Sequence, residues 1–167
     1  MSVDDDVVDP TLCGDGTATS RAGYFDLTGS TDNDGSKNYY FWMYESKHNV
    51  ATDPVVLWLT GGPGCSSVLA LLSENGPCTV NPDGASTTSN PYAWNQNATV
   101  IWLDQPAGVG FSYGEENDSN VDMVGEGELA SSWFLLVAFR CHFPRYVLFH
   151  SHPLSFVSLL ILLLSKT

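Results

Sequence analysis

The sequence predicts an α/β fold with a mixed, mostly parallel sheet whose antiparallel edge is an N-terminal hairpin. Residues 55–60 and 98–104 are continuous apolar runs stopped by glycine or proline, as in strands that are buried on both faces. Two aromatic-rich runs, at 23–28 and 38–45, flank a polar, glycine-containing stretch, which is typical of a hairpin with a long loop. Because these strands are too few to complete such a sheet, we expect only part of the fold in this chain.

Helices and a loop are predicted between and after the strands. Ser66 or Ser67 can cap a helix over residues 68–74, which a Gly-Pro pair ends. Apolar residues at helical spacing predict a second helix over residues 129–143. Residues 81–97 are rich in proline, asparagine, serine and threonine, and this composition predicts a surface loop.

The composition limits the class of protein. The chain has 167 residues, 43% of them hydrophobic and 15% charged, which indicates one globular domain or a piece of one. Its net charge of −13 makes nucleic acid and anionic membrane surfaces poor partners. The first ten residues contain neither a basic nor a long apolar stretch, so no signal peptide is visible.

The last residues of the chain differ in composition from the rest. All 19 acidic residues lie between Asp4 and Glu128, and the last 39 residues contain none. The apolar run 154–164 is shorter than the ~20 residues that cross a bilayer, so we expect no membrane anchor. We therefore expect residues 1–146 to be the N-terminal part of one domain, and residues 147–167 to be an apolar tail outside the native fold.

A glycine-rich segment follows the first apolar strand. Residues 57–67 read LWLTGGPGCSS, in which two adjacent glycines let the backbone turn tightly at the end of a strand. Such a turn can point backbone N–H groups into a cleft at the carboxyl edge of a sheet. Taken alone, the segment is better explained as a plain turn between a strand and a helix.

Several motifs together resemble one known family. Residues 57–67 are similar to W-L-N-G-G-P-G-C-S-S, the hallmark of the serine carboxypeptidases, which have an α/β-hydrolase fold. Further similar motifs follow in the family's order, namely ENGP at 74–77, NPYAWN at 90–95, LDQPAGVGFSY at 103–113 and FPRY at 143–146. The resemblance implies an incomplete α/β-hydrolase fold. It also implies a serine-type carboxypeptidase that removes C-terminal residues through an acyl-enzyme at acidic pH, with no cofactor and no metal.

The resemblance assigns roles to residues at the end of the first apolar strand. It implies that the backbone N–H of Gly62 is an oxyanion-hole donor and that Gly61 shapes the turn. It also implies that Trp58, Thr60 and Glu74 read the terminal carboxylate of a peptide. Thr60 stands where the family has asparagine, and a hydroxyl donates only one hydrogen bond. Glu74 would have to share a proton with a substrate carboxylate, which fits activity at acidic pH.

The cysteines and two glycosylation sequons point to the secretory pathway. Cys65 is similar to a family cysteine whose partner comes much later, so we expect an unpaired, buried thiol. Cys13 and Cys78 could bridge each other, but the sequence alone leaves the connectivity open. The sequons begin at Asn97 and Asn117. By resemblance, the full-length protein belongs in a vacuole, a lysosome-like compartment or outside the cell.

The catalytic triad is not found among these residues. The family's nucleophile elbow, G-E-S-Y-A-G, is expected after residue 146, where this sequence reads VLFHSHP instead. Ser112 fits G-x-S-x-G literally, but an acidic stretch follows it where an elbow needs a helix. We therefore expect none of the triad and no peptidase activity in this chain. Two alternatives stay open, an acyltransferase of the same fold and a non-catalytic remnant that binds peptide C-termini.

Overall fold

The main feature of the molecule is one mixed β-sheet. The computed structural model describes residues 2–9, 12–13, 15–26, 37–60, 64–114, 147–149 and 161–164. Most strands of the sheet lie in the order β1-β2-β3-β7-β4-β10-β9, and β8 pairs with β3. The strands are β1 Ser2–Val7, β2 Ser20–Asp26, β3 Lys37–Tyr44, β4 Val55–Trp58, β5 Cys78–Val80, β6 Thr87–Ser89, β7 Thr99–Leu103, β8 Tyr113–Gly114, β9 Val147–Phe149 and β10 Ile161–Leu164.

The predicted hairpin is confirmed, with one correction. Strands β2 and β3 pair antiparallel from Ser20↔Tyr44 to Asp26↔Asn38. The hairpin was expected at the edge of the sheet, but β1 pairs antiparallel with β2 and takes that outer place. The sequence did not predict β1 because its three consecutive aspartates are poor strand formers. Pairing with a formed strand, rather than local propensity, makes this segment extended.

The two apolar runs are strands, as predicted, and they form a parallel pair. The other described pairings of this sheet are antiparallel, so the described sheet is mixed but not mostly parallel, whereas the sequence predicts a mostly parallel one. Strands β4 and β7 run side by side from Val55↔Thr99 to Trp58↔Trp102, and every residue of both strands is buried. Parallel neighbours need a crossover connection, and the chain between these strands contains helix α1, Ser67–Ser73. The Ser66 side chain caps α1 by accepting a hydrogen bond from the Val68 N–H at 3.2 Å.

Both faces of the sheet carry buried apolar residues. Helix α1 covers the face that includes Trp42, Val56, Val100 and Trp102, and Leu71 of the helix is fully buried there. The opposite face is a second buried cluster formed by residues that alternate with the first, as strand geometry requires. Its members are Phe25, Tyr39, Phe41, Val55, Leu57, Leu59, Ile101 and Leu103.

The predicted surface loop at 81–97 is more ordered than expected. It contributes β6, which forms a small antiparallel hairpin with β5, and a 3-10 turn at Trp94–Gln96. Asp83 closes this hairpin by accepting hydrogen bonds from the Ala85 and Ser86 N–H groups. All three residues of β6 are exposed, so no apolar alternation in the sequence marks this strand.

Two short strands come from the residues after 146. Strand β10 pairs antiparallel with β4, and β9 pairs antiparallel with β10. The prediction that residues 147–167 stand apart from the native fold did not anticipate these strands. They are accounted for by the free edge of β4, a buried strand whose backbone groups on that side need hydrogen-bond partners. The helix predicted at 129–143 lies outside the described residues.

Candidate functional site

The candidate site lies where β4 and β7 end. Parallel strands end at the same edge of a sheet, and crevices in α/β sheets form at that edge. Thr60 follows β4 and Asp104 follows β7 at this carboxyl edge. The predicted oxyanion-hole residues Gly61 and Gly62 come next after Thr60 and lie outside the described residues.

Trp58 and Thr60 form a hydrogen-bonded pair. The indole Nε1–H of Trp58 donates to the Thr60 hydroxyl oxygen at 3.0 Å. The Trp58 ring also meets the ring of Trp94 edge-to-face, with centroids 5.1 Å apart. Because the Thr60 oxygen accepts from Trp58, its single hydroxyl proton can be donated to another group. The structure therefore brings together two of the three residues expected to bind a carboxylate.

The third residue, Glu74, lies at the C-terminal end of α1. The Glu74 side chain is exposed. At the other end of α1, the backbone N–H of Thr60 donates a hydrogen bond to the Ser67 hydroxyl oxygen at 2.9 Å. Helices rise about 1.5 Å per residue, so Ser67 and Glu74 are separated by roughly 10 Å along α1. Within the described ranges, no hydrogen bond joins the Glu74 side chain to Trp58 or Thr60.

The segment after Glu74 has a structural role. The Asn75 side-chain oxygen accepts from the indole of fully buried Trp102 at 3.0 Å, and the Asn75 carbonyl accepts from the Trp94 N–H at 3.0 Å. Gly76 passes so close to the Leu71 carbonyl that a Cβ at this position would overlap it. These contacts fix the end of α1 against β7 and place Trp94 beside Trp58.

Asp104 connects the parts of the carboxyl edge. Its side chain is fully buried, and its Oδ1 accepts from the Ser66 hydroxyl and from the Ser67 N–H, both at 2.7 Å. Its Oδ2 accepts from the Phe111 N–H at 3.0 Å. Burial and the nearby Asp104 carboxylate raise the pKa of Tyr40 to about 12. Asp104 was not among the site residues predicted from the sequence, although a polar residue directly after a buried strand is a signal that could have identified it.

Ser112 is a structural residue in this arrangement. Its hydroxyl donates to the Asp104 carbonyl and accepts from the Tyr40 N–H, both at 2.7 Å, and the residue is buried. A nucleophile needs a free hydroxyl beside a general base, and both hydrogen-bonding roles of this hydroxyl are already used. These two hydrogen bonds hold the residue after β7 against β3. That Ser112 is not the nucleophile stays a prediction.

Ser46, His48 and Asp53 are the residue types of a catalytic triad, but they do not have the arrangement of one. The hydroxyl of Ser46 and the Nδ1 of His48 both contact the carboxylate of Asp53. In a triad the histidine lies between the serine and the acid, whereas here the acid lies between the other two. These contacts close the loop between β3 and β4 and form no catalytic relay. In the described part of the chain, no group of three or more histidine, cysteine or acidic residues could hold a metal ion.

The structure joins two of the candidate cysteines and corrects the third. Cys13 and Cys78 form a buried disulfide with Cα atoms 5.4 Å apart. Cys65 is a free thiol, but it is exposed rather than buried, because it lies in the turn before α1. Of the two sequons, Asn97 is exposed at the end of the 3-10 turn, and Asn117 lies outside the described residues.

A mixed sheet with a strand–turn–helix crossover at its carboxyl edge places the molecule in the α/β-hydrolase class of folds. The profile of the family described as serine carboxypeptidase matches residues 10–154. Carboxypeptidase Y of Saccharomyces cerevisiae is 44% identical over 143 residues, which are 84% of this chain and 25% of that protein. A vacuolar serine-type carboxypeptidase of the same yeast is 44% identical over 119 residues, covering 71% of this chain and 22% of that protein.

One solved structure agrees with these sequence matches. The crystal structure of Kex1, a prohormone-processing carboxypeptidase from Saccharomyces cerevisiae, aligns with a TM-score of 0.54 at 31% identity. The alignment covers 69% of this chain and 26% of that chain. The protein therefore belongs to the serine carboxypeptidase family. It spans about a quarter of the length of the curated relatives that it matches. No helix of the described ranges is long and apolar enough to span a membrane.

Proposed function

We propose that this chain provides the part of a serine-type carboxypeptidase that recognises the free C-terminal carboxylate of a peptide. The observation that carries this proposal is the hydrogen bond between Trp58 and Thr60 at the carboxyl end of β4. It fixes the Thr60 side chain and leaves its hydroxyl proton for a substrate oxygen. The neighbouring Gly61 and Gly62 would supply and shape the oxyanion hole for the acyl-enzyme reaction.

The same proposal assigns pH dependence and location. Glu74 would bind the substrate carboxylate only when the two groups share a proton, so binding should strengthen at acidic pH. The buried disulfide fits an oxidising compartment, and one relative is itself named vacuolar. We therefore assign the full-length protein to the secretory pathway or a vacuole. Its substrates are peptide or protein C-termini, and its nucleophile is not a residue of this sequence.

A titration with matched peptides tests the proposal. An acetylated dipeptide with a free carboxylate and the same dipeptide with a C-terminal amide are added to the isotopically labelled chain. The indole N–H signal of Trp58 is followed by NMR. The acid should bind at least about tenfold more tightly than the amide, because a hydrogen bond to a charged group is worth about 1.5–3 kcal/mol.

Two variants at one position provide the control. Thr60→Val keeps the shape of the side chain without the hydroxyl, so it should lose the preference for the acid. Thr60→Asn restores a donor and should keep that preference. Equal affinity of the unsubstituted chain for acid and amide would refute the proposed recognition site.

A further inference from the structure

Asp104 is a fully buried acid whose side chain is surrounded by neutral hydrogen-bond donors. Its contacts are one hydroxyl and two backbone N–H groups, at 2.7 to 3.0 Å. A buried carboxyl group is costly unless such donors satisfy it, so this arrangement has to be maintained by the fold. The donors come from two separate segments, the start of α1 and the turn before β8.

The contacts of Asp104 flank the glycine-rich segment 61–65. After that segment, Ser66 and Ser67 both donate to Asp104 Oδ1. Before it, the Thr60 N–H donates to the Ser67 hydroxyl oxygen at 2.9 Å. Hydrogen bonds therefore join Thr60, which precedes the segment, to Ser67, which follows it. Asp104 holds Ser66 and Ser67 at the carboxyl end of β7.

The other side of the Asp104 carboxyl group is closed by the turn before β8. Oδ2 accepts from the Phe111 N–H, and Gly110 has a φ of +57° and passes so close that a Cβ would overlap Oδ2. Both side-chain oxygens of Asp104 must therefore accept hydrogen bonds. An asparagine would turn its NH₂ group toward a backbone N–H donor, whichever way its amide is oriented.

From this geometry we infer that Asp104 is a positioning residue, which through Ser67 fixes Thr60 at the carboxyl ends of β4 and β7, so that the Thr60 hydroxyl meets the substrate carboxylate. The inference about substrate rests on the proposed function, whereas the inference about position does not. Asp104 would act through Ser66 and Ser67 and would not touch substrate.

Amide hydrogen exchange in the full 167-residue chain tests the positioning role. In Asp104→Asn, exchange should accelerate about ten- to a hundredfold at the Ser67 and Phe111 amides, which lose a charged acceptor. Exchange at Val100 and Trp102, in the middle of β7, should change only as much as global stability does. The matched control is Asp83→Asn, which removes a carboxylate that also accepts from two backbone N–H groups, in an exposed hairpin.

A second variant keeps the test decisive if Asp104→Asn does not fold. Ser66→Ala removes one contact of Asp104 together with the N-cap of α1. Cys65 beside it is an exposed free thiol whose alkylation can be followed by peptide mass. Alkylation of Cys65 should accelerate at least about threefold, since a charged hydrogen bond is lost. The control is Ser73→Ala, an exposed serine of the same helix.

The peptide titration separates the positioning role from a purely structural one. In Asp104→Asn, affinity for the acid peptide should fall to that of the amide peptide, while amide-peptide affinity should not change. If acid peptides do not bind the unsubstituted chain, the proposed function fails and the exchange result alone decides the positioning role. Unchanged exchange at Ser67 and Phe111, or unchanged alkylation of Cys65 in Ser66→Ala, would overturn the inference.

Discussion

Ser112 joins β3 to the residue that follows β7 through two hydrogen bonds of its buried hydroxyl. Replacing it with alanine should lower the free energy of unfolding by about 1–3 kcal/mol, because the Tyr40 N–H and the Asp104 carbonyl both lose their partner. Urea unfolding of Ser112→Ala and of the exposed control Ser73→Ala measures this loss. Equal stability of the two variants would show that the Ser112 hydroxyl is not part of the fold.

Two glycines with the same backbone conformation but different surroundings give a second residue-scale prediction. Gly84 and Gly110 have φ values of +65° and +57°, yet only Gly110 has close neighbours, the Asp104 carboxyl group and the Ser66 hydroxyl. Gly84→Ala should cost about 1–2 kcal/mol for its left-handed conformation. Gly110→Ala should cost about 1–3 kcal/mol more, because its Cβ overlaps Asp104. Thermal or urea unfolding of both variants provides the comparison, and equal losses would contradict it.

At the scale of elements, hydrogen bonds to the Asp53 carboxylate stabilise the loop that joins β3 to β4. A hydrogen bond from the Ser46 hydroxyl, followed in importance by one from His48, lowers the pKa of Asp53 below its ordinary value of 3.8. A carboxyl whose pKa is lowered by folding stabilises the native state above its unfolded pKa. That stabilisation disappears as the pH falls below 3.8 through the lower folded pKa.

The corresponding experiment compares acid sensitivity. Between about pH 5 and about pH 2.5, the urea midpoint should fall further in the unsubstituted chain than in Asp53→Asn, which cannot titrate at this position. Ser46→Ala removes the first of the hydrogen bonds and should give an intermediate dependence. Identical pH dependence in all three proteins would show that Asp53 does not stabilise this loop.

At the same scale, the elements that could be predicted are those with a clear apolar pattern. Strands β4 and β7 and the β2–β3 hairpin were predictable because their hydrophobic residues mark them locally. Strands β1 and β6 were not, because Asp4–Asp6 and Thr87–Ser89 carry polar side chains and become strands only through pairing.

The site was predictable to a similar extent and for a related reason. The motif around Trp58 and Thr60 is continuous in sequence, so a resemblance could identify it. The contact between Asp104 and Ser66 joins residues 38 positions apart, and only the parallel pairing of β4 with β7 brings them together. No local pattern contains that information.

At the scale of the whole molecule, the disulfide joins the N-terminal region to the hairpin that follows α1. It links Cys13 and Cys78 across 65 residues. Closing a loop of that length stabilises the native state by about 4 kcal/mol in the chain-entropy account. A Cys13→Ser and Cys78→Ser double variant should therefore be less stable by roughly 2–5 kcal/mol. Urea unfolding with and without a reductant measures this, and reductant should affect only the unsubstituted chain.

For the molecule as a whole, we propose that it carries the recognition edge of a serine carboxypeptidase and that none of its own serines is the nucleophile. The most direct measurement is incubation of the purified chain with a fluorophosphonate, followed by mass spectrometry of the intact protein and its peptides. Without a triad only weak residual reactivity is expected, so no stoichiometric label should appear and Ser112 should stay unmodified. Stoichiometric labelling of any serine, and of Ser112 above all, would contradict the account.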